Sequence, residues 1–123
     1  MKGYLLSDFG DMVRTMCPTA SEDEADLEQV WLNLDYLEAI CANLLPPIRD
    51  WLTPLEKEYF CTGAKYIVLE QLLRFLGDYL NGDQYYKINY PLHNLHRTQN
   101  QMKLHQELIR YEERIKDRVN AYL

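Results

Sequence analysis

A chain of 123 residues holds one domain, read here as residues 1–123, and the length excludes two independent cores. With 47% hydrophobic and 26% charged residues it lies near the globular average, which excludes disorder and fibrous repeats. Nineteen acids against thirteen bases give a formal charge of -6, the wrong sign for a phosphate-backbone binder, so nucleic acid is not an expected partner.

The N-terminal MKGYLLSDFGD has no signal-peptide core, and no apolar run approaches the roughly 20 residues that span a bilayer. Cys17, Cys41 and Cys61 are odd in number and form no CxxC pair. They are expected to be free, structurally buried thiols in a reducing compartment, so the chain is expected to be cytoplasmic and without a membrane partner. The ten tyrosines suit half-buried helix faces and grooves, because each joins apolar area to a hydroxyl that wants a partner.

Along the chain, a short helix is expected after Asp8, with Asp8 as its cap and Asp11 as first-turn charge. The acids Glu22, Asp23, Glu24, Asp26 and Glu28 follow, and Ser21-Glu22-Asp23-Glu24 reads as a capping box at a solvated helix start. Asp35-Tyr36-Leu37-Glu38 repeats that logic, with Asp35 as cap, and the helix it opens is expected to stop before Pro46. Thr53-Pro54-Leu55-Glu56 is the strongest start signal, with a cap, proline at the first helical position and glutamate at the third.

The long helix expected from Thr53 is apolar on several sides and should be the central element of the core. Tyr59, Tyr66, Leu69, Leu73, Leu76 and Leu80 recur at helical spacing, and Ile67, Val68, Leu72, Phe75 and Tyr79 cover further faces. A turn at Asn81-Gly82-Asp83 and a loop or short extended piece over Tyr85–Tyr90 separate it from a last helix. That helix should begin near Asn94, with Leu104, Leu108, Tyr111, Ile115, Val119 and Tyr122 on its apolar stripe. Lys103, Glu107, Arg110, Glu113 and Lys116 fall mainly on its wet side. The fold class is therefore all-α, a helical bundle with one long central helix and a long C-terminal helix.

The sequence contains no phosphate-cradling loop, dinucleotide fingerprint, zincin motif, ExxH pair or hydrolase elbow. No catalytic residue, metal ligand or cofactor-binding residue is assigned to this chain. His93, His96 and His105 have no acid or thiol at ligand spacing and are expected in surface or capping roles. The richest stretch runs from Arg74 to Arg97. Arg74 lies one helical turn from Glu70 and from Asp78, which reads as a charge ladder. An arginine fork beside a glycine turn that carries Tyr85 and Tyr86 also suits a sugar or other polyol.

The order of GYLLSDFGDMVR, TASEDEADLEQVWLNLDYLEA, LTPLEKEYFCTGAKYIVLEQLLRFLGDYLNGDQYYK and HNLHRTQNQMKL resembles the C-terminal part of aminoglycoside-phosphotransferase-like sugar kinases. The nearest branch is the N-acetylhexosamine 1-kinases, some of whose relatives carry a mucin-desulfatase label. The likeness runs from Gly3 to about Leu104.

It implies the C-terminal helical subdomain of a kinase-like fold, with ATP and Mg in the intact enzyme and an N-acetylhexosamine as the small-molecule partner. Arg74 and Tyr85 match positions where the family contacts its sugar. Asp11 would brace the catalytic loop, and the family's catalytic base, loop asparagine and metal aspartate would precede Gly3. The chain by itself is then expected to be a catalytically silent fragment of a phosphotransferase. The alternative is a standalone helical protein–protein interaction module, dimeric through exposed apolar helix faces.

Overall fold

The computed structural model describes residues 2–123, with side chains from residue 5 onward; Met1, which begins the stretch read above as lacking a signal core, lies outside the described residues. Six α-helices are described: α1 (Lys2–Met16), α2 (Leu34–Ile48), α3 (Pro54–Tyr59), α4 (Thr62–Leu80), α5 (His93–Arg110) and α6 (Glu112–Tyr122). The molecule is an all-α bundle with α4 at its centre, packed against α1 on one side and α5 on another, while α6 lies on α2. None of the described helices is long and apolar enough to cross a membrane.

Core and caps follow from side-chain chemistry. Phe9, Leu37, Leu45, Phe60, Val68, Leu104, Leu108 and Val119 are sealed from solvent, each contributing about 1.5–3 kcal/mol relative to exposure. The Phe9 and Phe60 rings meet at 4.6 Å and tie α1 to the α3–α4 junction. At α3 the capping box forms as the sequence predicts: the Thr53 hydroxyl accepts from the Glu56 amide at 3.1 Å and the Glu56 carboxylate accepts from the Thr53 amide at 2.9 Å.

Where α1 crosses α4, two glycines face one another. A Cβ on Gly10 would lie 2.4 Å from the Gly63 carbonyl oxygen, and one on Gly63 would lie 2.4 Å from that of Leu6. The helices therefore touch backbone to backbone. Phe9 and Gly10 sit buried in mid-helix and Asp8 is exposed there, so Asp8 is not a cap. Asp11 is also exposed and pairs with Arg14 at 3.4 Å.

Several boundaries depart from the sequence reading. Residues 21–26 form turns and irregular backbone instead of a helix start. Asn33 replaces Asp35 as the cap of α2, its carbonyl oxygen accepting from the Asp35 and Tyr36 amides at 3.0 and 3.3 Å. That helix runs through Pro46 and Pro47 to Ile48, because proline's fixed φ suits a helix, buried Leu45 anchors the turn, and the Arg49 amide still reaches the Leu45 carbonyl.

The helix expected from Thr53 breaks at Phe60 and Cys61, where amides of Phe60 and Gly63 reach back only three residues. The last helix breaks at Tyr111. Glu107, expected on the wet side, is buried at 5% exposure and held by Lys103 at 3.1 Å. The one β-type contact among the described residues is an isolated bridge between Pro18 and Leu32.

Burial raises all three cysteine thiols, Cys17 and Cys41 to about 12 and Cys61 to about 11. They are free, as expected, and Cys17 and Cys41 belong to the core.

A cleft braced by a buried carboxylate

The turn after α4 is dictated by Gly82. The Asp83 amide donates to the Asp78 carbonyl at 2.8 Å and the Gly82 amide to that of Tyr79 at 3.3 Å. This is a Schellman closure, which requires left-handed backbone at Gly82, observed at φ 86. Asp83 follows at φ 59, a conformation that aspartate tolerates better than most residues.

Asp78 then holds what the turn delivers. Its carboxylate accepts from the Tyr85 amide at 2.8 Å, the Tyr86 amide at 3.0 Å and the Asn94 side chain at 2.7 Å. Burial alone would raise this carboxyl, yet the donors from Tyr86, Tyr85 and Asn94 outweigh it and hold the group below the usual carboxylate range. The expected charge ladder is thus only half present. Arg74 pairs with Glu70 at 2.8 Å, and Asp78 turns away from it toward the backbone.

Asn94 continues the network. Fully buried, it also donates to the Asp83 carboxylate at 3.0 Å and accepts from the Arg97 guanidinium at 3.0 Å. Arg97 lies over the Phe75 ring, donates to the Lys87 carbonyl at 3.0 Å, and donates to Asp23 at 2.8 Å. His93, buried at 3% exposure, accepts the Asn89 amide on Nδ1, which leaves Nε2 to donate to the same Asp23 oxygen at 2.8 Å. Asn100 donates to the Ser21 and Glu24 carbonyls at 2.8 and 3.0 Å. The acidic segment is therefore a docked loop, stapled to α5 by three polar side chains.

His93 and His96 serve this scaffold. His93 is buried instead of exposed, with the Tyr90 ring stacked on it at 4.7 Å, and the Tyr90 hydroxyl lies 3.0 Å from His96 Nδ1. No group of His, Cys, Asp and Glu among the described residues is arranged to hold a metal ion.

Arg74 and Tyr85, named from sequence as site residues, line one open cleft of about 440 Å³ together with Gly77, Asp78, Asn81 and Tyr86. The volume falls in the roughly 300–1,000 Å³ range of small-molecule sites. Tyr85 is 82% exposed, its ring edge-on to Tyr86 at 4.8 Å, and Tyr86 in turn rests on Phe75 at 4.9 Å. Gln71 donates to the Tyr86 hydroxyl oxygen at 3.1 Å, so that hydroxyl keeps its own proton for another acceptor. Arginine, amide and phenol donors beside an exposed ring form a surface that hydrogen-bonds oxygen atoms and stacks on an apolar face.

From sequence, Asp78, Asn81 and Asn94 read as a rung of a charge ladder, a turn residue and a helix start, and none was assigned to the site. One signal was present: an acid in the last turn of a helix opposes the helix dipole, which marks a carboxylate with compensating donors.

The network carries a pH prediction. Burial raises the Asp23 carboxyl, but hydrogen bonds from Arg97 and His93 and the charge of Arg97 lower it more, leaving it below the usual range, as Asp78 is. A depressed folded pKa contributes stability that is complete above the unfolded value of about 3.9 and is lost as pH falls through the folded one. The urea midpoint should hold from neutral pH to about pH 5 and fall below about pH 4. Asp23→Asn should flatten that fall; an identical slope in the variant removes Asp23 from the linkage.

No known protein-family model matches the sequence.

Proposed function

We propose that the chain is the C-terminal helical subdomain of an ATP-dependent sugar 1-kinase of the aminoglycoside-phosphotransferase-like group, and that it supplies one wall of an N-acetylhexosamine site. The observation that carries this reading is the convergence of Arg74 and Tyr85, named by the family resemblance, on a single cleft.

In the intact enzyme, MgATP supplies the phosphoryl group. The wall's task is to hold the sugar so that its anomeric hydroxyl stays in position for the transfer. Arg74 engages one guanidinium nitrogen with Glu70, and the remaining donors of the fork serve sugar oxygens. Tyr85 offers its ring to the sugar's apolar face.

Arg74→Ala in an intact homologous kinase should raise the sugar KM about 10- to 100-fold, the loss of a charge-assisted hydrogen bond. Unchanged KM and kcat would take Arg74 out of the site. The pure chain mixed with sugar, ATP and magnesium should give no turnover, and turnover would sink the reading.

A second reading rests on a different surface. Tyr66, Leu69, Leu73 and Leu80 of α4, expected to be packed from several directions, form an exposed stripe, with Leu73 at 55% and Leu80 at 75% exposure. Such a stripe suits an interaction module that pairs with a second copy. Sedimentation of the pure chain separates the two: a concentration-dependent dimer favours the module, and a monomer at high concentration counts against it.

A further inference from the structure

Two helices leave one corner of the fold and open a groove between them. The Asn33 amide donates to the Cys17 carbonyl at 2.9 Å and Pro18 bridges Leu32, which fixes the end of α1 beside the start of α2. Beyond that corner the helices take different supports, α1 on α4 and α2 on α6. Met12 and Met16 of α1 and Tyr36, Ile40 and Leu44 of α2 line an open groove of about 630 Å³, together with Ala39 and Asn43. The lining is almost entirely apolar, yet Met16 is 58% and Tyr36 56% exposed. Apolar surface gathered in one groove marks a binding surface, and methionine adapts readily to an incoming side chain.

Shape and charge narrow the occupant. Met12 and Met16 stand one turn apart, as do Tyr36, Ile40 and Leu44, so each wall is a ridge at helical spacing. From Asp8 to Met16, α1 rises about 12 Å, a little over two turns. A third helix laid between two such ridges meets them with apolar residues at i, i+4 and i+7. The ends of the groove are acidic. Asp8 continues the α1 ridge one turn before Met12, and Asp35 stands one turn before Ala39; both are exposed. Because α1 runs into the corner and α2 out of it, Asp35 lies at the corner end and Asp8 at the other. Among the described residues neither carboxylate has an ion-pair partner, and no base lines the groove. Arg14 is engaged with Asp11 and Glu22, and Arg118 with Glu38.

We infer that the α1–α2 groove is a docking site for an amphipathic helix of a partner protein, whose apolar face lies between Met12 and Ile40 and whose basic ends meet Asp8 and Asp35. The groove shares no residue with the cleft at Arg74, so the inference stands apart from the sugar reading.

The test uses the full chain with methyl-labelled methionine, followed by NMR titration. The probes are two lactam-bridged helical peptides that share leucines at i, i+4 and i+7 and differ in carrying lysine or glutamate at both ends. The lysine-ended peptide should shift the Met12 and Met16 methyl signals and bind about tenfold more tightly than the other at low salt, the combined effect of several exposed charge interactions. That ratio should shrink at high salt. Asp8→Lys combined with Asp35→Lys should reverse the preference. Met16→Glu and Ala39→Glu, both at exposed positions, should abolish binding of the lysine-ended peptide while the helical circular dichroism stays that of wild type.

Equal affinity for both peptides, or a preference that the two lysine substitutions leave unchanged, overturns the inference. So does a peptide that leaves the Met12 and Met16 signals where they were, or binding that survives Met16→Glu. Methyl shifts that depend on chain concentration without peptide would assign the groove to a second copy, and uptake of 1-hexanol with no response to either peptide would make it a small-molecule pocket. Either result overturns the partner helix.

Discussion

Gly10→Ala should destabilise the chain by about 3 kcal/mol, the upper range for inserting a methyl group where packing leaves no space. Alanine favours a helix over glycine by about 1 kcal/mol, so local propensity predicts the opposite sign. The clash decides, because the new Cβ would stand 2.4 Å from the Gly63 carbonyl oxygen and 2.8 Å from Ile67 Cγ1. Backbone cannot rotate aside as a side chain can, so α1 must move off α4, and Phe9 loses its seat against Phe60. Gly63→Ala should act similarly through the Leu6 carbonyl, and the double variant should cost less than the sum of the two, since one displacement relieves both contacts. Urea unfolding of the three variants checks this, and an unchanged or raised midpoint for Gly10→Ala would show that the two helices separate freely.

The second large effect is expected at Asn94. Replacing it with leucine keeps the branched outline and the number of side-chain heavy atoms but removes two donors and one acceptor from a fully buried position. Asp78 and Asp83 would each lose a donor and Arg97 an acceptor, for a cost of about 3 kcal/mol, the range for leaving buried polar or charged groups unpaired. The local consequence separates this from general loss of stability. The Tyr85 and Tyr86 amides lie on Asp78 and should exchange with solvent faster than amides in the α1–α4 crossing. Uniform acceleration across the chain would mean that Asn94 supports the fold at large and not the turn in particular.

Signals that depend on neighbours in sequence were legible. The Thr53 box and the turn at Gly82 both follow from residues within a few positions of one another. Arg74 and Tyr85 were paired by the family resemblance, while local pattern alone favoured a charge ladder; the helix end and the tight turn bring both to one cleft. The Ser21–Glu24 box misled because its pattern is local while its real partners, His93, Arg97 and Asn100, stand on another helix.

The proline pair in α2 illustrates the converse. A local rule ends the helix before Pro46, but burial of Leu45 and packing of Ile48 against the core carry it onward. Periodicity also showed that α4 is apolar on several faces without showing which ones other helices cover. Val68, Leu72 and Phe75 were covered, while Tyr66, Leu69 and Leu73 were left in solvent.

The bonds around Asp78 and the staple at Asp23 differ in how far apart their partners lie along the chain. Asp78 meets Tyr85, Tyr86 and Asn94 across separations of 7, 8 and 16 residues, whereas Asp23 meets His93 and Arg97 across 70 and 74. Short loops close with little loss of chain entropy and long ones close late. The wall of the cleft can thus take shape as soon as α4 and the start of α5 exist, and the acidic loop arrives afterwards to lock α5 in place. Nascent chain that has just passed Arg97 already contains every group the cleft requires.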